Sequence, residues 1–276
     1  MNYSILMSVY KKDKPEYLEL SIISMLNQTI KSNDFVIVKD GILTAELDKV
    51  IQKYSSDEIN NINVFSLNDN VGLGKALDYG LSKCQNDLVA RMDADDISLP
   101  LRCEKLLNLF LLNPSLSIAG TNIDEFEDNP DKIVCSRVVP ENDKEIKKFI
   151  RHRSPFNHPT VMFKKSEVIR CGGYGPLQRK QDFDLFSRMM NMGCQGYNIQ
   201  ESLLLFRASD DNLKRRKSKE YYRSTIYVAK LNYKRGYISF FDLAYVVIGQ
   251  QLVRILPKSL LRLLIRKRIK RQKEGR

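Results

Sequence analysis

At 276 residues, with 43% hydrophobic and 28% charged, the chain can bury a sizeable core, which excludes a disordered or fibrous protein. Its net charge of +12 is unevenly placed: residues 1–210 hold 26 Lys/Arg against 29 Asp/Glu, and residues 211–276 hold 19 against 4. A nearly neutral body thus carries a strongly basic tail, and a polyanionic neighbour is implied for the tail alone.

Tyr3–Tyr10 (YSILMSVY) reads as a buried strand and not a signal peptide, because no basic n-region or cleavage site accompanies it. Tyr17, Leu18, Ser21, Ile22, Met25 and Leu26 recur at helical spacing before a second buried strand, Phe35–Lys39. Ile62–Leu67 and Leu88–Met92 are further strands, and Leu73, Ala76, Leu77 and Leu81 share one helical face between them. This alternation predicts βαβ units, hence an α/β fold with a mostly parallel sheet and helices on both faces.

A helix is expected after Ser98, with Pro100 in its first turn and Asn113-Pro114 stopping it. Leu116–Thr121 is a fifth strand, and the polar segment Asn122–Lys148 reads as a loop or edge region over a site. Val161–Lys164 is a short strand, and Asp182–Met192 a helix with Leu185, Met189 and Met192 in line. From about Asp211, Lys/Arg-rich stretches alternate with Tyr and Leu at helical spacing. Phe240–Leu256 is the nearest candidate for a spanning helix, but Asp242, two glutamines and Arg254 break it, so a cytosolic protein is expected. The five cysteines (Cys84, Cys103, Cys135, Cys171, Cys194) are odd in number and form no C-x-x-C pair, which argues against a disulfide framework or a zinc site.

The central chemical feature is Arg91-Met92-Asp93-Ala94-Asp95-Asp96 at the end of a predicted strand. Its carboxylates repel one another, and Mg²⁺ or Mn²⁺ would relieve that cost. If the backbone is still extended, Asp93 and Asp95 point the same way. The position also suits a ligand site, which in open α/β sheets lies beyond the carboxyl ends of strands. A solvated acidic loop before the next helix is the plainer alternative, and a lone D-x-D does not separate the two.

The surrounding segments do. SVYKK (Ser8–Lys12), VKDG (Val38–Gly41), NDNVGLGKALDYGL (Asn68–Leu81), RMDADD (Arg91–Asp96) and QDFDLFSRM (Gln181–Met189) follow in an order and spacing that resemble family 2 glycosyltransferases, closest to those that assemble bacterial surface polysaccharides. The resemblance covers roughly residues 1–210. It implies a GT-A fold, with residues 1–97 as a nucleotide-sugar-binding half, 98–210 as an acceptor-binding half, and 211–276 as a basic helical tail. It also implies an inverting transfer of a hexose, galactose or glucose, from a UDP-sugar to a polyprenyl-diphosphate-linked saccharide.

The same resemblance implies roles by position. Ser8, Val9 and Tyr10 would line the nucleotide pocket, with Asp40 accepting a hydrogen bond from uracil. Gly72 would permit close backbone approach, Lys75 would lie near the diphosphate or base, and Arg91, Asp93 and Ala94 would contact the donor. Asp95 and Asp93 would hold Mn²⁺ or Mg²⁺, and Asp96 the metal or the sugar. Asp182 would be the general base, with Asp184 its rival and helix N-capping its plainer role. The family's Glu-Asp pair is here Gln181-Asp182, so Gln181 would contact the acceptor without a charge. His158, in an N-H-P-T stretch, would contact the acceptor or the diphosphate. The glycine-rich Cys171–Gly175 stretch lacks a phosphate-loop ending and reads as a flexible acceptor-side loop.

The tail could consist of solvated helices, bind nucleic acid, or attach to an anionic membrane. The last is favoured by Leu260, Leu263, Leu264 and Ile265 flanked by Lys258, Arg262, Arg266–Arg268, Lys270 and Arg271. The expected partners are therefore a UDP-sugar, a lipid-linked saccharide and the inner face of the cell membrane, with no nucleic acid. A nucleotidyltransferase of related fold is one alternative, although SVYKKDKP lacks the glycines of its phosphate loop. A non-catalytic membrane- or nucleic-acid-binding protein is the other.

Overall fold

A computed structural model describes residues 1–208 and 218–256. The first four strands, β1 (Ser4–Val9), β2 (Asp34–Lys39), β3 (Ile62–Ser66) and β4 (Leu88–Met92), are joined by α1 (Pro15–Leu26), α2 (Ala45–Ser55) and α3 (Leu73–Lys83). They pair in the order β3-β2-β1-β4, all parallel, as the alternation predicts. Every residue of β4 is buried, the pattern of a strand covered on both faces. Side chains alternate across β1. Ile5 and Met7 join Leu18 and Ile22 of α1 in one core, while Leu6 joins Leu77 of α3 in the other. The strand order reverses at β1, so the loops after β1 and β4 splay apart there and open a crevice at the strands' carboxyl ends.

The rest of the sheet mixes directions. β8 (Met162–Lys164) adds antiparallel to β4, followed by β6 (Leu116–Phe126), β9 (Gln195–Arg207) and the short β5 (Ile97–Ser98), with β7 (Ile133–Arg137) also paired to β6. The helices here are α4 (Arg102–Leu112), α5 (Asp143–Phe149), α6 (Lys165–Arg170) and α7 (Gln181–Asn191). Phe110 of α4 packs in the first core and Phe183 and Phe186 of α7 in the second, so helices cover both faces.

Several local expectations are corrected. Of the loop or edge region expected over 122–148, the edge is right and the loop is not: the segment holds the end of β6, the edge strand β7 and the helix α5, with Ile123, Phe126 and Ile146 as buried anchors among the polar residues. Pro100 precedes α4 and lies outside its first turn, since Leu101 is the N-cap. Met192 is the C-cap of α7 and 41% exposed, so it leaves the buried line of Leu185 and Met189. β9, which the sequence reading left unassigned, is a 13-residue strand parallel to β6.

In the tail, α8 (Lys219–Lys234) and α9 (Phe240–Ile255) are helices, as the helical spacing predicts. Arg235, just past α8, meets Asp184 at 2.6 Å, Asn232 donates to Ser187 Oγ at 3.0 Å, and Lys180 Nζ meets the Tyr221 hydroxyl at 2.6 Å. α9 packs Val246 on Ile226 and Ala229 of α8, and its Asp242 bonds His152 at 2.8 Å. Among the described residues no helix is long and apolar enough to cross a membrane. The Leu260–Ile265 stripe and its flanking basic residues lie outside the described residues.

Candidate active site

β4 delivers the acidic segment to the crevice and then ends. The chain turns at Ala94-Asp95, so the extended geometry that would align Asp93 with Asp95 is absent. The turn instead gathers three carboxylates: oxygens of Asp93, Asp95 and Asp96 lie within 4.8 Å of one another. Ala94 is buried and anchors the turn in the core. Other elements hold the turn from behind. The Ser21 hydroxyl donates to the Asp93 carbonyl at 2.7 Å, Arg207 Nε to the Asp95 carbonyl at 3.0 Å, and the Arg207 N–H to Asp96 Oδ1 at 2.9 Å.

Negative charge here is under-compensated. The buried Arg91 guanidinium pairs with Asp93, yet its Nε and Nη1 have no partner, and neither does Asp96 Oδ2. A fourth carboxylate that the sequence reading did not single out, Asp13, accepts from the Tyr10 N–H at 2.9 Å. Burial pushes its pKa up to about 7, and Asp95 and Asp93 add to the rise. Desolvation within the turn and then Asp93 push Asp95 up to about 6, although part of the residue is open to solvent. Burial first, then Asp95 and Asp93, put Asp96 well above the usual carboxylate range. Hard oxygen donors, one of them buried without a bond, with more charge than the Arg91 and Arg207 guanidiniums balance, fit a divalent cation. Asp93, Asp95 and Asp96 are the residues that would hold it.

The side of the crevice expected to take the nucleotide is built from the loops after β1, β2 and β3. Ser8 is half-buried, Val9 is buried with its carbonyl accepting from the Asp40 N–H at 2.8 Å, and Tyr10 is 41% exposed at the rim. Asp40 is buried, and its carboxylate accepts from the N–H groups of Val71 (2.7 Å) and Gly72 (3.1 Å) and from Asn70 Nδ2 (3.1 Å). It therefore shapes the 68–72 loop, and a bond to a base would be additional to these three. Gly72 has φ +87 with open space where a Cβ would sit, so backbone conformation, and not crowding within the chain, requires glycine. Lys75 is exposed on the first turn of α3.

Asp182 comes from the other side. α7 begins at Gln181, and Lys180, in the left-handed region at φ 66, is the N-cap. The capping role read for Asp182 is thereby corrected: it is the second helical residue, half-buried and uncommitted to a cap bond. Its rival Asp184 is fixed between Arg188 (3.0 Å) and Arg235 (2.6 Å). Gln181 is buried against Gly74 at the start of α3.

Tyr174 connects the two sides. Its hydroxyl lies 2.9 Å from His158 Nε2, and its N–H donates to Asp78 Oδ1 at 2.9 Å. Burial raises the phenol's pKa; Arg91 opposes the rise, and Asp182, Asp93 and Asp78 add to it, so the fields of both sides converge on it. Burial, and after it the same Arg91, push the His158 pKa well below its usual value and keep it neutral. The glycine-rich loop expected to be flexible is tied down: Gly173, at φ +62, lies against Asp78, and Arg188 Nη2 donates to its carbonyl at 2.8 Å. Asp13, Arg207, Asp78 and Tyr174 were missed because each acts through a contact distant in sequence; only the glycine pair before Tyr174 marked that position.

A model of "Glycosyl transferase family 2" matches residues 4–180. The chain belongs to that family. This glycosyltransferase is 38% identical over 270 residues to the UDP-Gal:alpha-D-GlcNAc-diphosphoundecaprenol beta-1,3-galactosyltransferase of Escherichia coli, covering 98% of this chain and 97% of that one. It is 31% identical over 265 residues to the amylovoran biosynthesis glycosyltransferase AmsE of Erwinia amylovora, covering 96% and 98% respectively. Among solved structures, the mannosyltransferase PcManGT of Pyrobaculum calidifontis, in complex with GDP-Man and Mn²⁺, superposes with a TM-score of 0.65 at 10% identity, over 92% of this chain and 70% of that one. That likeness bears out the GT-A fold. Of the readings weighed from sequence, the family bears out the sugar transferase over the nucleotidyltransferase and the non-catalytic protein.

Proposed function

We propose that this glycosyltransferase moves galactose or glucose from a UDP-sugar, with inversion to a β linkage, onto a saccharide carried by polyprenyl diphosphate. The observation that carries the reading is the gathering of Asp93, Asp95 and Asp96 within 4.8 Å at the end of β4, with the half-buried Asp182 at the start of α7. Galactose and a diphosphoundecaprenol acceptor are named for the E. coli relative, which matches nearly the whole chain.

In this reading Ser8, Val9, Tyr10, Asp40 and Gly72 form the nucleotide pocket of residues 1–97, and Gln181 and His158 belong to the acceptor half, 98–210. The acceptor hydroxyl gives its proton to Asp182 as its oxygen bonds the anomeric carbon from the face opposite UDP. The bond from that carbon to the diphosphate oxygen breaks, and UDP leaves with its electron pair. Asp93, Asp95 and Asp96 would hold a Mn²⁺ or Mg²⁺ ion, which would supply positive charge for the leaving diphosphate. Lys75 would add the chain's own positive charge near the diphosphate or base, and Arg91 holds Asp93 from within the core. Neutral His158 orients the Tyr174 hydroxyl. Work at the inner membrane face follows from a lipid-linked acceptor and the basic tail.

The test is a screen of UDP-sugars against a polyprenyl-diphosphate saccharide, with Mn²⁺, with Mg²⁺ and with chelator, reading UDP release and the product's anomeric configuration. Turnover by one UDP-hexose with inversion is expected. A retained configuration, or turnover only with other nucleotide sugars, overturns the reading.

A further inference from the structure

Among the described residues, α9 carries a largely uncovered apolar face, touched at Tyr245 by the His152 ring (centroids 4.6 Å apart). Phe241, Tyr245, Ile248, Leu252 and Ile255 recur at alternating spacings of four and three, which places them in one stripe. They are 82%, 61%, 61%, 53% and 76% exposed, while the opposite face buries Val246 against α8. The helix is thus apolar on two faces, and of its 16 residues only Asp242 and Arg254 are charged. Asp242 is held by His152 and by the Ser239 capping box, which fixes the helix's rotation and keeps the stripe outward.

We propose that this stripe is the face the protein lays into an anionic lipid surface, with α9 in the plane of the membrane. The proposal rests on the membrane-facing reading above and deepens it by naming the contact. Sixteen residues of helix measure about 24 Å, short of the roughly 30 Å hydrocarbon core, so α9 cannot span and must lie flat to bury its stripe. Charge selects the occupant. The 20 residues after α9's last turn, 257–276, hold 9 Lys/Arg against 1 Asp/Glu. An anionic bilayer attracts this basic segment, whereas an uncharged apolar partner surface gives it nothing to pair with. The aromatic end of the stripe, Phe241 and Tyr245 beside the 63% exposed Phe240, suits the headgroup boundary. Apolar insertion and basic attraction then act as the two signals that stable attachment needs.

The chain has no tryptophan, so Leu252→Trp in the full-length protein gives a single reporter in the stripe. Its emission should be that of an exposed indole in buffer and shift to the blue with vesicles of phosphatidylcholine containing phosphatidylglycerol. In co-sedimentation with the same vesicles, the double substitution Ile248→Asn/Leu252→Asn should weaken partitioning roughly tenfold to a hundredfold, with an unchanged thermal melt and unchanged transfer to a water-soluble acceptor analogue. That loss should persist in high salt, where Arg266→Gln/Lys267→Gln/Arg268→Gln no longer matters because attraction is screened. Partitioning of the asparagine variant equal to wild type overturns the stripe but leaves membrane binding intact. Indole emission already blue in buffer and unmoved by vesicles means another part of the chain covers the stripe. A wild-type dimer in light scattering that the asparagine variant dissolves means a second copy does; both overturn the proposal. Wild type that fails to bind these vesicles overturns the membrane reading itself.

Discussion

The backbone N–H of Arg207 donates to Asp96 Oδ1 at 2.9 Å, so the last residue of β9 fixes a carboxylate 111 residues earlier in the chain. The Arg207 side chain adds a bond to the Asp95 carbonyl and stacks its guanidinium 3.8 Å from the Tyr17 ring centroid and 4.5 Å from that of Phe126. Arg207→Ala leaves the backbone bond and removes the rest. Support of this kind tunes a metal site by about ten- to a hundredfold in affinity. Mn²⁺ titration by calorimetry should show a loss in that range with the fold intact.

Asp95→Ala removes a carboxylate from the cluster and should lower sugar transfer by at least about a hundredfold, a loss that added Mn²⁺ does not restore. Initial rates across a metal titration measure it, and near-wild-type transfer would contradict the assignment.

Asp182→Asn and Asp184→Ala should separate cleanly. Asp182 is uncommitted within the fold, so its loss should lower kcat by about 10²- to 10⁴-fold with donor affinity and melting temperature preserved. Asp184 joins Arg188 to Arg235, and its removal leaves both cations unpaired beside a nearly buried site. About 3 kcal/mol of destabilisation in urea titration is expected, with transfer retained per folded molecule.

Cation binding should weaken in acid. Asp13 and Asp95 are raised from 3.8 to about 7 and about 6, so without metal the folded protein holds protons that the unfolded chain has released between roughly pH 4 and pH 7. Their contribution therefore makes the metal-free protein less stable as pH rises through that window. A cation needs the same carboxylates ionised, so its affinity should climb from pH 5 to above pH 7 and reverse the stability trend at saturation. Melting curves with and without Mn²⁺ across pH check both signs, and Asp13→Asn should move the midpoint of the affinity curve to lower pH.

Gly72→Ala meets no atoms, but it forces a side chain into a backbone region at φ 87, ψ 154 that is essentially glycine's own. About 1–3 kcal/mol of stability should be lost. A rise in KM for the UDP-sugar beyond that of a control variant of equal stability would show that the donor also approaches this backbone.

The sequence by itself determined what depends on local pattern. Buried runs and helical spacing located β1 to β4 and α1, α3 and α7, because a parallel strand covered on both faces is apolar throughout and a packed helix is apolar on one side. The five segments in order identified the family and singled out Asp93, Asp95 and Asp182 as candidates. Tertiary structure decided what depends on contacts between distant residues. It joined Asp13 to the acidic cluster and closed Asp96 with the Arg207 N–H. It also tied the glycine-rich loop to Asp78 and fixed Asp184 between two arginines while leaving Asp182 uncommitted. Polar strands such as β7 and the end of β6 were hidden for the same reason. Their backbone bonds are made to neighbours that one-dimensional spacing does not reveal, and the side chains that line a site are chosen for chemistry and not for the period of the element that carries them.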